Sequence, residues 1–192
     1  MSLPTRFRAS IACIALVALA VPATAAVKDQ SAAGFTLENE AVVAVDAATA
    51  WDAIVDDVDR WWPKDHTWWG SESKLSIDAR AGGCFCEIDS DRQAQHLQVV
   101  FTDPGKLLRM TGGLGPLQGM GLHGVLEFRL EPVQGPDGDE RRDMTRIVLH
   151  YRAGGYAPDH IGAFAAVVDR VQAAQLKGLV DHIVGLRGSG AR

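Results

Sequence analysis

From Pro158 and Asp159 onward, apolar side chains recur at helical spacing: Ile161, Phe164, Val168, Val171, Leu176, Leu179, Ile183 and Leu186, with Gln175 on the same stripe. The pattern predicts one helix of about 27 residues, about 40 Å long at 1.5 Å per residue. That exceeds an ordinary globular helix. A stripe of that length has to be covered by a surface of similar length, and a curved sheet supplies one.

The preceding residues supply the strands. KLSID precedes a Gly82-Gly83 break and CFCEID. HLQVVF ends at an Asp103-Pro104-Gly105 turn, and KLLRM leads into GGLGPLQGMGLHG. GVLEFRLEPV alternates, with Leu126, Phe128 and Leu130 on one side. MTRIVLHYR does the same with Ile147, Leu149 and Tyr151, beyond the charged tip QGPDGDERRD. These patterns predict an antiparallel meander with one buried face. TLENEAVVAVDA (36–47) reads as an earlier strand. Asp46 then caps a helix whose apolar face is Trp51, Ile54, Val55, Val58, Trp61 and Trp62, and Pro63 ends it. Asp52, Asp56, Asp57 and Asp59 lie mostly off that face and read as solvated.

Four of the five tryptophans, Trp61, Trp62, Trp68 and Trp69, fall within nine residues. Neighbours on a helix diverge by about 100°, and neighbours on an extended segment alternate. One member of each pair is therefore expected in the core and one at a rim, with Trp62 and Trp69 as rim and Trp61 and Trp68 as core. The cluster reads as a hydrophobic wall at a cavity mouth; core packing alone or a protein-docking patch are the other readings.

The N-terminus reads as a leader. Arg6 and Arg8 precede the apolar run 9–21, and Ala23-Thr24-Ala25 forms an A-x-A cleavage site. The run is shorter than the roughly 20 residues of a membrane span, and Cys13 lies too early in it for lipoprotein processing. Residues 1–25 are thus expected to be a signal peptide, 26–35 a lead-in, 36–186 the domain and 187–192 a disordered tail. Cleavage leaves 167 residues, enough for one core, and takes the formal charge from −5 to −7. The mature chain is expected to be periplasmic or secreted, without stable membrane insertion. Its acidity, without a basic stripe, argues against nucleic acid and anionic membrane surfaces as partners.

The element order is strand, helix, irregular segment, strand meander, long C-terminal helix. It resembles the helix-grip fold of the START-like (SRPBCC) superfamily, in its polyketide-cyclase-like and heat-shock-ATPase-activator-like branch. The resemblance is carried by AWDAIVDDVDRWWP, by Gly82-Gly83-x-Phe85-x-Glu87, by Asp103-Pro104-Gly105-Lys106-Leu107-Leu108 and by Thr145-Arg146-Ile147-x-Leu149. KLLRMTGGLGPLQ, YRAGGY and VDRVQAAQLKGL look like an exported bacterial subgroup. The resemblance implies an α+β helix-grip fold: a curved antiparallel sheet wrapped around the long C-terminal helix, with an apolar cavity between them. Members bind lipids, sterols and polyketides, some transform them, and some assist a chaperone. The candidate ligand-binding residues are Trp61, Trp62, Trp68, Trp69, Phe85, Glu87, Phe128, Tyr151, Phe164 and Val168.

The usual nucleophile signatures are absent. Neither GSESK nor RGSGAR is a G-x-S-x-G elbow. GGLGPLQG lacks the Lys-Ser/Thr end of a phosphate loop, and there is no H-E-x-x-H. No catalytic residue, metal ligand or cofactor is assigned. Cys84 and Cys86 lie two apart on a strand, where regular spacing sets their Cβ atoms too far apart for a disulfide. They read as two small apolar side chains, with a bulge-strained redox pair or a metal clip with a histidine as alternatives. Glu87 has two readings. Cys84, Cys86 and Ile88 face inward and send Phe85 and Glu87 to water, or Phe85 and Glu87 face the cavity, as the resemblance suggests. A buried Glu87 needs a partner or a raised pKa.

The expected function is binding of a small hydrophobic molecule or lipid, as carrier or sensor, with oligomeric state open. A cyclase or lyase on the same cavity is the alternative, favoured if a buried Glu87 meets His96, His150 or Arg152. A co-chaperone-like interaction module is third, and the leader argues against it. The mature protein should begin at Ala26 or Val27; N-terminal sequencing that found Met1 or Ser2 on the functional form would exclude the leader reading.

Overall fold

The computed structural model describes residues 24–134, 140–156 and 161–189. The basic and apolar parts of the leader, part of the charged tip, Pro158, Asp159 and the last three residues lie outside the described residues. Eight antiparallel strands form one sheet: β1 (Thr24–Ser31), β2 (Gly34–Val43), β3 (Lys74–Ile77), β4 (Cys84–Asp89), β5 (Arg92–Asp103), β6 (Leu107–Gly112), β7 (His123–Gln134) and β8 (Glu140–Gly154). Their order across the sheet is β1-β2-β8-β7-β6-β5-β4-β3. From β3 to β8 each strand therefore pairs with its successor, as a meander should. Helices α1 (Ala47–Asp56) and α2 (Val58–Trp61) join β2 to β3, and α3 (Ala165–Ser189) closes the chain. Among the described residues no helix is long and apolar enough to cross a membrane.

Alternation explains the core. Leu126, Phe128 and Leu130 of β7 and Ile147, Leu149 and Tyr151 of β8 are all buried on the inner face. The first helical segment behaves as its signals require. The Thr49 N–H donates to the Asp46 carboxylate at 2.8 Å, a side-chain N-cap; the helix breaks at Asp57, and α2 ends at Trp61, with Trp62 as its cap before Pro63. α3 crosses the inner face and covers its apolar stripe there. At Gly178 it passes so close to α2 that a Cβ would lie 2.3 Å from the Trp61 carbonyl oxygen. α3 also continues to Ser189, into the segment read as a tail, after a short 3-10 turn at Ile161–Phe164.

Two acidic residues depart from the solvated-face reading. Asp57 pairs with His182 of α3 at 2.9 Å. Asp59 accepts from the Lys64 ammonium at 2.6 Å and from the Leu75 N–H of β3 at 2.8 Å. Both anchor the helical segment to its neighbours, while Asp52 and Asp56 are exposed.

β5 is bulged twice. Opposite β4, Phe85 pairs with Leu97 but Cys86 pairs with Gln95, so His96 is an extra residue. Opposite β6, Val99 pairs with Met110 and Phe101 with Arg109, so Val100 is extra. Bulges bend the strand that carries them and raise its twist, and here they curl the sheet about α3.

The expectation for the cysteines is overturned: Cys84 and Cys86 are joined as a disulfide. Their Cα atoms are 5.4 Å apart, whereas regular strand spacing gives about 6.6 Å for residues two apart. β4 is contracted where it faces the His96 bulge, and that brings the two side chains within reach. The inward and outward faces are settled as well, because Phe85 and Glu87 are buried while Ile88 is exposed. Unreduced, unfolded protein should therefore resist thiol alkylation at both positions and gain the mass of two hydrogen atoms on reduction. Alkylation of both without a reductant would show that the bridge does not form.

Candidate functional site

A cavity of about 350 Å³ opens between α3, the segment after α2 and the 114–120 loop. This is at the small end of ligand pockets, which run from roughly 300 to 1,000 Å³. Trp62 and Trp68 form one wall, Leu114, Leu117 and Met120 a second, and Phe164, Val168 and Val171 a third. Its polar lining includes His96, Gln172 and Gln175, with Asp65 and His66 at the exposed edge.

Four of the ten candidate residues, Trp62, Trp68, Phe164 and Val168, line this space. Trp61, Phe85, Phe128 and Tyr151 lie behind the wall as core. Trp61 packs edge-on against Phe128, with ring centroids 6.2 Å apart, and its indole N–H donates to the Ala53 carbonyl at 2.8 Å. Phe85 lies between Trp62, at 5.0 Å, and His96, at 5.3 Å. Tyr151 packs on Phe35, and burial pushes its phenol up to about 12. Phe85, Phe128 and Tyr151 are core because inward strand positions on a curved sheet lie deeper than the helical segment laid over them, and Trp61 is core because it is the α2 residue turned toward that sheet.

The tryptophan assignment is reversed in the second pair only; in the first, the rim member is more buried than expected. Trp61 and Trp62 are both buried, Trp62 being the member that reaches the cavity. Trp68 is the exposed one, at 47%, and lines the mouth. Trp69 turns away from the cavity, beneath the Arg92 guanidinium at 5.2 Å. After Pro63 the chain runs through two short 3-10 turns, Lys64–His66 and Gly70–Glu72. Strand-like alternation from Trp62 does not carry through them.

Glu87 is wholly buried just behind His96. The Trp68 N–H lies 3.0 Å from each of its oxygens, and the Trp69 N–H donates to Oε1 at 3.1 Å. His96 Nε2 lies 2.9 Å from Oε2. Burial pushes the Glu87 carboxyl up, but hydrogen bonds from the Trp68 N–H, the Trp69 N–H and His96 outweigh it and hold the pKa below the usual carboxylate range. Burial pushes the His96 pKa below its ordinary value, against the pull of Glu87. The pair is therefore an ionised carboxylate and a neutral imidazole near neutral pH. An ionised carboxylate only accepts, so His96 carries its proton on Nε2, and Nδ1 keeps the basic lone pair.

Of the three partners considered for Glu87, only His96 meets it. His150 lies on the outer face near Glu127, at 4.0 Å, and Arg152 reaches Thr36. Glu127 is a second buried carboxylate, which the sequence did not single out. It takes Arg109 and Arg129 as partners, and these hold its pKa down against burial. Gln172 was also not singled out. Its signal was a polar residue on the apolar stripe, one turn after Val168 and three residues before Gln175. Among the described residues no three His, Cys, Asp or Glu side chains gather as a metal site.

Solved structures with this architecture include protein MLL2253 from Mesorhizobium loti, with TM-score 0.52 and 17% identity over 78% of this chain and 96% of that one. CalU16 from Micromonospora echinospora aligns with TM-score 0.50 and 15% identity over 84% and 82%. Ara h 8.0201 does so with TM-score 0.50 and 16% identity over 78% and 97%. The fold is the helix grip. No protein-family model and no curated protein sequence matches this chain. At these identities the likeness is one of fold, so the function of the helix-grip chain rests on its own cavity.

Because the folded pKa of Glu87 lies below its unfolded value, ionised Glu87 stabilises the fold above about pH 4.3, and this contribution fades as pH falls through the depressed folded pKa. Glu87→Gln should cost about 2–4 kcal/mol at neutral pH. The cost should shrink markedly in acid denaturation series taken toward about pH 3. A pH-independent cost would mean that the carboxylate charge is not what holds the loop.

Proposed function

We propose that this protein binds a small hydrophobic molecule in the cavity between sheet and α3, as a carrier or sensor. The observation that carries this reading is the cavity itself: it is open at one end and walled by Trp62, Trp68, Leu114, Phe164, Val168 and Val171. The reading includes export. Cleavage after Ala25 removes two paired residues, Thr24 and Ala25, and leaves β1 on β2 from Ala26 opposite Glu38 to Ser31 opposite Gly34, so the leader can leave without dismantling the sheet. The tryptophan loop and the helix-grip architecture also fit the exported, polyketide-cyclase-like resemblance.

One observation favours a second reading, an acid–base enzyme on the same cavity. His96 is neutral, lines the cavity and is oriented by a buried carboxylate, an arrangement suited to removing a proton from a bound substrate. The convergence of Glu87 and His96 meets the criterion set out above for an enzyme. The carrier reading stays first because burial outweighs the pull of Glu87 on His96 and disfavours the imidazolium that a general base would have to become.

Native mass spectrometry of protein purified from its own periplasm should show a retained small molecule. In vitro, an eight-carbon hydrocarbon should change tryptophan fluorescence. Trp68→Ala should weaken that binding with little loss of stability, whereas Trp61→Ala should cost about 3–5 kcal/mol. Equal stability losses with no change in affinity at matched folded fraction would reduce the cluster to core packing. His96→Gln should leave the affinity of a carrier intact and abolish the turnover of an enzyme.

A further inference from the structure

The apolar cavity has a polar pole. Gln172 lies on α3 with 0% of its surface exposed, yet it lines the cavity. Neither Oε1 nor Nε2 of its carboxamide has a hydrogen-bond partner. A buried amide without partners is costly, and native structures rarely leave both ends of one unpaired. Asn39, also buried beneath α3, is different: its side-chain nitrogen donates to Asp169 at 3.1 Å. Gln172 therefore offers one donor and one acceptor to whatever fills the space.

The electrostatics narrow the head group further. Among the described lining residues none is lysine or arginine, and Asp65 is acidic. His96 also lines this space, and its Nε2 is taken by Glu87 at 2.9 Å. The ionised Glu87 behind it adds negative potential, so an anionic head would enter a low-dielectric space with no counter-charge. Resting on the ligand-binding reading above, we propose that the cavity selects an uncharged amphiphile whose polar head carries a hydrogen-bond acceptor beside a donor, paired by the Gln172 carboxamide. A primary amide on a short hydrocarbon chain is the simplest such head, because a trans secondary amide sets its N–H and C=O on opposite sides. Its carbonyl accepts from Nε2–H, and its N–H donates to Oε1.

The test compares three probes with one chain length, octanamide, octanoate and octane, titrated into the mature protein by calorimetry or tryptophan fluorescence. Wild type should bind octanamide about ten-fold or more tighter than octanoate, because a site built to hydrogen-bond rejects a head it cannot pair. Gln172→Leu should lose about ten-fold for octanamide and keep or gain affinity for octane. It should also unfold at a higher temperature than wild type, because the unpaired amide is gone. Gln172→Met, which keeps side-chain length, should repeat the pattern and guards against a packing defect in the leucine variant. Octanoate binding as tightly as octanamide, or both variants keeping the wild-type preference for octanamide over octane, would overturn the proposal and leave the hydrophobic cavity standing. Failure of all three probes, octane included, would remove the cavity reading and this inference together.

Discussion

A carboxylate shut away from water has to be satisfied by hydrogen bonds or give up its charge, and Glu87 is satisfied. It sits on the inner face of β4 and gathers the Trp68 and Trp69 N–H groups and His96 Nε2 around two oxygens. The loop after α2 has little regular structure of its own, only two short 3-10 turns. Its backbone donors are fastened to the sheet through this one side chain. Where Trp68 stands at the cavity mouth, and how the His96 ring is turned, both follow from it.

The same network divides polar from apolar surface in the cavity. Trp62 leans edge-on against Phe85, and Phe85 separates it from His96, so the aromatic wall grades into a single polar corner. α3 supplies the opposite wall with valines, interrupted by Gln172 and Gln175, and the 3-10 turn before it adds Phe164. The disulfide between Cys84 and Cys86 straddles Phe85 on the strand that also carries Glu87. It stiffens β4 at the place where the loop, the bulge and the cavity wall meet. On the other face of the sheet, Glu127 reaches the same protonation state by a different route, with Arg109 and Arg129 as partners rather than backbone donors. One carboxylate positions a loop, and the other stitches neighbouring strands.

Much of the architecture was legible because it follows from local periodicity. The alternation of Leu126, Phe128 and Leu130, the Asp46 cap, the Pro63 stop and the long stripe from Ile161 to Ile183 each depend on a few neighbouring residues, and each appears where its pattern puts it. The site was legible only in part. Trp62, Trp68, Phe164 and Val168 reach the cavity, while Trp61, Phe85, Phe128 and Tyr151 lie behind it. Residue type marks a side chain as apolar and large, but its depth is set by how far the sheet curls and where α3 crosses it.

The amino-acid sequence by itself determined the alternating faces of an antiparallel meander, the helix that must be gripped, and an apolar aromatic cluster beside it, whereas β1 (Thr24–Ser31) reads there as cleavage site and lead-in rather than as a strand. Period and turn chemistry act over a few residues and survive changes elsewhere. Tertiary structure alone decided the inward turn of His96, the disulfide and the facing of Glu87. Strict alternation from Leu97 and Val99 would send His96 to solvent; the extra residue opposite Phe85 and Cys86 reverses its face. That bulge exists only where β4 and β5 pair, so no reading of either strand alone contains it. It brings the imidazole to the carboxylate, accompanies the contraction that joins the cysteines, and so places the polar corner of an otherwise apolar cavity.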